Sequence, residues 1–124
     1  MRKWLIGAGF HGALGVGFGA WAAHGAERLL TEPAIEWIRT GSAYQLWHAV
    51  ALIGIAALAV RFSSRLIGCA GVAFCLGALG FSCILYGLAL GGPTWLVYVT
   101  PIGGSLLILG WLALLAAGFR LRKE

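Results

Sequence analysis

Long apolar runs alternate with short polar segments along this chain, and the pattern predicts four membrane-spanning helices. The predicted spans cover about residues 4–23, 42–60, 66–90 and 101–119. A helix needs about 20 residues to cross a hydrocarbon core of roughly 30 Å, and each run is long enough. The sequence therefore predicts an all-α membrane protein, a four-transmembrane-helix bundle that forms a single domain over residues 1–124.

The only polar segment of any size, residues 26–41, lies between the first two predicted spans. Pro33 suits the first turn of a helix, where the missing N–H is no loss. After it, the apolar residues Ile35 and Trp37 alternate with charged residues such as Glu36. We expect a short amphipathic helix that lies in the headgroup region, with its tryptophan as an anchor.

Composition agrees with a membrane location, because 60% of the residues are hydrophobic and only 10% are charged. The net charge of +5 does not indicate nucleic-acid binding, since the basic residues flank the apolar runs. Two basic residues, Arg28 and Arg39, lie on one side of the predicted membrane. The other seven are Arg2, Lys3, Arg61, Arg65, Arg120, Arg122 and Lys123. The positive-inside rule therefore predicts that both termini are cytoplasmic.

Glycine is concentrated in the predicted helices, above all in the segment 7–25 of the first one. In a bilayer a glycine lets a second helix backbone come close, and Gly15 and Gly19 form a GxxxG pair. We expect the first helix to be the central one of the bundle. The predicted packing glycines are Gly12, Gly15, Gly19, Gly77, Gly80, Gly103 and Gly104. Such a surplus of small surfaces predicts a homo-oligomer or a larger membrane complex.

Few polar side chains lie inside the predicted spans, and most of them fall near the outer surface. Polar groups in a bilayer are costly unless they find partners, so we expect these side chains to converge. The predicted cluster comprises His24, Tyr44, Gln45, His48, Ser82 and Tyr86. It is either a hydrogen-bonded clasp that fixes the helix register or a pocket for a quinone or a lipid headgroup.

His11 lies deeper in the first helix and points toward the packing groove. An interhelical hydrogen bond is the simplest role, and the alternatives are a haem or metal ligand or a proton-relay station. A haem held by two histidines needs a pair at matched depth, and His11 is deeper than both His24 and His48. A zinc or copper site is poorly supplied with ligands, although Glu27 is a possible third ligand. No nucleophile elbow, phosphate loop or paired carboxylate is present.

Four segments resemble a family of small membrane proteins of unknown function, which includes the bacterial YgdD-like proteins and eukaryotic transmembrane protein 256. The segments are GFGAWAAHGAERL (17–29), YQLWHAVAL (44–52), FSCILYGLALGG (81–92) and PIGGSLLILGW (101–111). Trp21-Ala22 departs from the family pattern by lengthening its usual GA-HG spacing. The resemblance implies a four-helix protein of the bacterial inner membrane, or of the mitochondrial inner membrane in a eukaryote. It supplies no catalytic residues.

Together these patterns predict a non-catalytic integral inner-membrane protein, a structural or accessory component that needs no cofactor. The alternative is a quinone-, haem- or lipid-binding membrane protein that uses the predicted outer cluster.

Overall fold

The computed structural model describes residues 1–121 and shows four long helices. The helices are α1 at Arg2–His24, α2 at Glu32–Arg61, α3 at Arg65–Ala89 and α4 at Thr100–Arg120. Two short 3-10 helices, Ala26–Arg28 and Thr94–Tyr98, follow α1 and precede α4. Each long helix has the length and apolar composition to cross a membrane. The predicted all-α architecture with four spans is confirmed. The charges predicted to be cytoplasmic at Arg122 and Lys123, and the terminal Glu124, lie outside the described residues.

α2 is longer than the sequence pattern predicts, because the amphipathic segment and the second span form one continuous helix. The predicted break between them is wrong. Gly41 stays helical, and its missing side chain gives α3 room, since an added Cβ would stand 2.8 Å from the ring of Tyr86. Ile35 and Ile38 are buried in a cluster with residues of α1 and α3. The apolar face of the segment therefore packs on the protein.

The helices pack in chain order, since α1 lies along α2, α2 contacts α3, and α3 lies along α4. The expectation that α1 is central is therefore wrong, because α2 and α3 occupy the middle of the bundle. One side of α1 is open: a Cβ added at Gly9 or Gly17 would have no neighbour within 4 Å. A glycine-rich helix can be approached closely, but its sequence does not say how many of its sides are used.

The main apolar core lies where all four helices meet. It joins Trp4 of α1, Leu52 and Ile55 of α2, Phe74 of α3 and Leu107 of α4. Each of these side chains is at most 5% exposed. A second, smaller core surrounds the first turns of α2 and the last turn of α3. The two cores leave the middle of the α1–α2–α3 interface to polar side chains.

Two of the predicted packing glycines lie at close contacts between α1 and α2. A Cβ added at Gly15 would stand 2.8 Å from Cγ of Leu46, and one added at Gly19 would stand 2.5 Å from the hydroxyl of Ser42. At Gly12 an added Cβ would make only ordinary contact, 3.8 Å from Ala49. The closest approach of α1 to α2 is therefore confined to one stretch of its length.

The pair α3–α4 is closer still, because two backbones touch directly. Gly103 of α4 lies on the backbone of Gly80 and Phe81, where an added Cβ has no room. One turn earlier on α3, a Cβ at Gly77 would meet Leu107 at 2.7 Å. Gly80 and Phe81 belong to a π-helical turn at Leu79–Cys83, a wider turn that α-helices adopt rarely and often at functional sites.

Gly103→Ala is expected to lower the free energy of unfolding by about 1–3 kcal/mol relative to Gly104→Ala, because overpacking forces the backbones apart. An added Cβ at Gly104 would lie 3.5 Å from the ring of Phe81, which is ordinary contact. Both changes gain the same helix propensity, so their difference isolates packing. Thermal unfolding in a mild detergent, followed by circular dichroism, measures it. Equal midpoints would show that this backbone contact does not stabilise the α3–α4 pair.

Candidate functional site

Gln45, a fully buried glutamine on α2, holds the first three helices together through its amide group. Its Nε2 lies 3.0 Å from Nδ1 of His11 on α1. Its Oε1 accepts a hydrogen bond of 2.7 Å from the hydroxyl of Tyr86 on α3. The same Nε2 also donates to Sγ of Cys83, 3.7 Å away. The amide of Gln45 on α2 therefore contacts α1 through its nitrogen and α3 through its oxygen.

The partners of Gln45 determine the state of the histidine ring. An amide nitrogen only donates, so Nδ1 of His11 is the acceptor and the ring proton resides on Nε2. The imidazole is neutral in this arrangement and is 2% exposed. On the other side of the amide, the ring of Tyr86 stacks on Phe18 of α1 with the ring centroids 3.9 Å apart. Tyr86 thus contacts both neighbouring helices.

A second buried histidine, His48, links α2 to α4. The indole N–H of Trp111 donates to Nε2 of His48 over 3.0 Å, so the ring proton resides on Nδ1. Nδ1 in turn donates to the backbone carbonyl of Tyr44, 2.6 Å away. Phe74 packs against the edge of the imidazole with the ring centroids 5.2 Å apart. Both nitrogens of His48 are therefore engaged within the protein.

Two buried serines differ in how they are satisfied. Ser42 of α2 donates a hydrogen bond of 2.6 Å to the backbone carbonyl of Gly15 on α1. Ser82, in the π-helical turn, is fully buried, and its hydroxyl has no partner among residues 1–121. Ser42 therefore adds a direct link to the α1–α2 contact, whereas Ser82 adds none.

A groove of about 400 Å³ opens beside His48, between α2 and α4, with Phe81 of α3 at its base. Tyr44 and Trp111 flank it, and Ile108 extends the apolar wall. The only imidazole that reaches it already uses both nitrogens. Across residues 1–121, no group of three or more His, Cys, Asp or Glu side chains is placed to hold a metal ion. The three cysteines are free in this structure.

Comparison with known proteins assigns the chain to a family. A family model described as "Protein of unknown function (DUF423)" matches residues 18–104. The chain is 36% identical over 119 residues to a UPF0382 membrane protein of Haemophilus influenzae, covering 96% of this chain and 95% of that protein. The chain belongs to the DUF423 family. No solved structure is significantly similar to it.

Other relatives carry the same description. The UPF0382 inner membrane protein YgdD of Escherichia coli is 34% identical over 123 residues, which covers 99% of this chain and 94% of that protein. A UPF0382 membrane protein of Staphylococcus epidermidis is 34% identical over 117 residues, which covers 94% of this chain and 95% of that protein. The family resemblance that the four sequence segments indicate is confirmed, and the chain is a member of a membrane-protein family of unknown function.

In this DUF423 protein the structure assembles only part of the predicted outer cluster. Gln45 and Tyr86 are bonded to each other, and His48 bonds to the backbone of Tyr44, whose own side chain is 39% exposed. His24 does not join them: it is exposed at the end of α1. The expected approach of His24 to His48, directly or through a shared partner, is therefore wrong. Ala22 faces the bundle at that level in its place.

The sequence pattern placed His11 apart from the cluster, yet His11 is a direct partner of Gln45. The sequence indicates depth only through position along each helix. Gly12 faces Ala49 and Gly15 faces Leu46. His11 and Gln45 are therefore offset by more than one turn, and the long glutamine side chain spans that offset. Residues more than a turn apart in depth can therefore meet, and here they do so across antiparallel helices.

Trp111 and Ser42 contribute hydrogen bonds that the sequence pattern did not predict. The periodicity of α4 shows that Trp111 lies on an apolar helix, but it does not show that the ring faces His48. A weak signal existed for Ser42, because a hydroxyl inside an apolar helix needs an acceptor, and a nearby glycine exposes a backbone carbonyl. Which carbonyl is exposed depends on the helix pairing, which a single sequence does not specify.

The bond between Tyr86 and Gln45 is testable with a double-mutant cycle of Tyr86→Phe and Gln45→Leu. Tyr86→Phe alone leaves the buried Oε1 of Gln45 without its donor, and we expect a loss of about 1–2 kcal/mol in unfolding free energy. In the Gln45→Leu background the same change should cost close to nothing, because the acceptor is gone. Unfolding in detergent measures all four proteins.

The matched control is Tyr98→Phe, since Tyr98 is 76% exposed and is expected to be neutral in either background. Strictly additive effects of Tyr86→Phe and Gln45→Leu would contradict a stabilising bond between the two side chains.

Proposed function

We propose that this protein is a non-catalytic structural or accessory component of the bacterial inner membrane, which associates with a further helix through the open side of α1. The observation that carries the proposal is the small-residue face at Gly9, Ala13 and Gly17. These three residues are spaced four apart and are all exposed. No other part of residues 1–121 packs within 4 Å of a Cβ added at Gly9 or Gly17.

A small-residue face is suited to helix association inside a bilayer. Lipid tails are as apolar as leucine, so helices associate there through close van der Waals contact, which small residues permit. A shallow groove of about 210 Å³ runs along this face, between Ala13 and Gly17 on one side and Phe18 and Trp21 on the other. The partner that we propose for this groove is a helix from a second copy of the chain.

The absence of catalysis is supported by how the buried polar groups are used. An enzyme keeps an acid, a base or a nucleophile free at a place that its substrate reaches. Here the amide of Gln45 is shared between His11 and Tyr86, and both nitrogens of His48 have protein partners. These groups therefore stabilise the helix arrangement and leave little capacity for a reaction.

The competing function is binding of a quinone or a haem at the outer cluster, and the groove beside His48 is the observation in its favour. A quinone carbonyl in that groove would have to take the indole proton of Trp111 from His48. A haem iron would have to displace a hydrogen bond from one of the two imidazole nitrogens. Either ligand would break an existing bond in order to form its own, so the structural role has more support.

The small-residue face is tested with Gly9→Leu and Gly17→Leu. Both positions have open space, so each variant should keep the thermal midpoint of the wild type while losing association. Gly54→Leu is the matched control, because it adds the same side chain at an open glycine of α2. Light scattering in mild detergent and cross-linking in membranes measure the assembled mass. A wild-type monomer without a partner, or an assembly unchanged by Gly17→Leu, would refute the proposal.

We also propose that both termini face the cytoplasm. The starts of α1 and α3 and the ends of α2 and α4 carry Arg2, Lys3, Arg61, Arg65 and Arg120. Three of the four acidic residues lie at the other end of the bundle, Glu27 in the connection after α1 and Glu32 and Glu36 in the first two turns of α2, and an excess of basic residues favours the inside.

Single cysteines at Ser63 and at Thr31, in a background without the three native cysteines, test this orientation. Both positions are exposed at opposite ends of the bundle. A membrane-impermeant thiol reagent added to intact cells should label position 31 and spare position 63, which should react only after the membrane is opened. Labelling of position 63 in intact cells would reverse the proposed orientation.

A further inference from the structure

A groove of about 490 Å³ lies between α3 and α4, at the end of the bundle where the chain begins. One face of α3 forms its wall, with Gly68, Val72 and Leu76 spaced four residues apart, and Leu106 of α4 also lines the groove. Val72 and Leu76 are 48% and 51% exposed. A Cβ added at Gly68 would have no neighbour within 4 Å, so the groove is open at that point.

Two cations, Lys3 and Arg65, stand at the rim of this groove. The ammonium group of Lys3 lies 4.5 Å from the centre of the ring of Trp4. Trp4 is 5% exposed and packs against Gly71 of α3, so the tryptophan that supports this charge is itself held in place. Cation–π contact of this kind leaves the ammonium free to bind an anion on its other side.

Neither cation forms an ion pair with a residue between 1 and 121. Within residues 1–121 the one ion pair joins Arg39 to Glu36, at the other end of the bundle. The acidic residues of that part of the chain are Glu27, Glu32 and Glu36, all between α1 and the second turn of α2. Among the described residues, the rim of the groove therefore carries positive charge without a neighbouring carboxylate.

The length of the groove matches one leaflet of a bilayer. From Arg65 to Leu76 the helix advances eleven residues, or about 16 Å. Half of a hydrocarbon core of about 30 Å is roughly 15 Å. The cations at the helix start therefore lie at the level of the headgroups, while the apolar wall below them reaches the middle of the membrane.

We propose that this groove binds an anionic phospholipid. Its phosphate lies between Lys3 and Arg65, and one acyl chain lies along Val72, Leu76 and Leu106. Basic pockets at the membrane surface favour anionic over zwitterionic headgroups, which provides the selectivity. Apart from Lys3, the groove is formed by α3 and α4, and none of its residues belongs to the face at Gly9, Ala13 and Gly17, so this inference does not depend on the proposed function.

The test measures which lipids remain on the protein. The full chain is placed in bilayers of equal parts phosphatidylglycerol and phosphatidylcholine, released in mild detergent and examined by native mass spectrometry. The wild type is expected to retain phosphatidylglycerol at least about fivefold over phosphatidylcholine, because of its rim charges. K3Q/R65Q should reduce that preference to near unity.

The matched control is R2Q/R61Q, which removes two exposed positive charges from the same end of the bundle but outside the groove. It should keep the preference of the wild type. Equal loss in both double variants would show that general surface charge attracts the lipid, and it would overturn the proposal. So would a wild type that retains the two lipids equally.

A second pair of variants tests the apolar part while all charges remain. A Cβ added at Gly68 has open space around it, so Gly68→Leu places a side chain in the groove, and Gly54→Leu adds the same side chain at an open position on α2. We expect Gly68→Leu to retain about threefold less phosphatidylglycerol than Gly54→Leu, because a leucine occupies the path of the acyl chain. Equal retention in these two variants would overturn the proposal, even if the charge variants failed to fold.

Discussion

Direct contact between helix backbones is the constraint on which this structure depends. Inside a bilayer the hydrophobic effect does not drive one apolar helix onto another, so the helices must gain their stability from close packing and a few hydrogen bonds. The contact of Gly103 with the backbone of Gly80 and Phe81 provides this for α3 and α4. Gly15 and Gly19 of α1 let the side chains of Leu46 and Ser42 of α2 lie close to the α1 backbone.

The buried polar network follows from these short distances. Gly41 lets the ring of Tyr86 lie against α2, and one turn later on α2 the amide of Gln45 receives the hydroxyl of the same tyrosine. The π-helical turn at Leu79–Cys83 precedes Tyr86 by less than one turn and brings Cys83 within reach of Gln45. A side chain larger than hydrogen at position 41 would move Tyr86 away, and Gln45 would lose its donor. The glycines and the glutamine therefore act together.

Hydropathy and length are sufficient to predict the four spans, because a stretch of about 20 apolar residues with few charges has few alternatives to a membrane helix. Hydropathy and length do not show which faces of these helices pack against each other. Gly9 and Gly15 look equivalent in the sequence, yet Gly15 contacts Leu46 and Gly9 has open space around it. Hydropathy also places the start of the second span at about residue 42, after the polar segment, although α2 already begins at Glu32.

The same limit applies to the candidate site: the sequence indicates which polar residues need partners, but not which of them bond to each other. The rule that polar groups in a membrane seek partners correctly brings Gln45 and Tyr86 together. It does not say that the third member is His11 instead of His24, because that depends on which residue of α1 faces α2. The rule also does not predict the donor Trp111 on α4, because the sequence does not show which apolar face of that helix packs against the bundle.

The hydrogen-bonded groups of His11, Gln45, His48 and Tyr86 stabilise the helix arrangement. Two of the surfaces that remain open on the outside of the bundle differ in shape and charge, and this difference separates their partners. The face at Gly9, Ala13 and Gly17 carries no charge, so it discriminates by shape alone and suits another helix. The groove below Lys3 and Arg65 combines charge at headgroup level with a narrow apolar path, which suits a lipid. The first surface lies on α1 and the second between α3 and α4, so a helix and a lipid can occupy them at the same time.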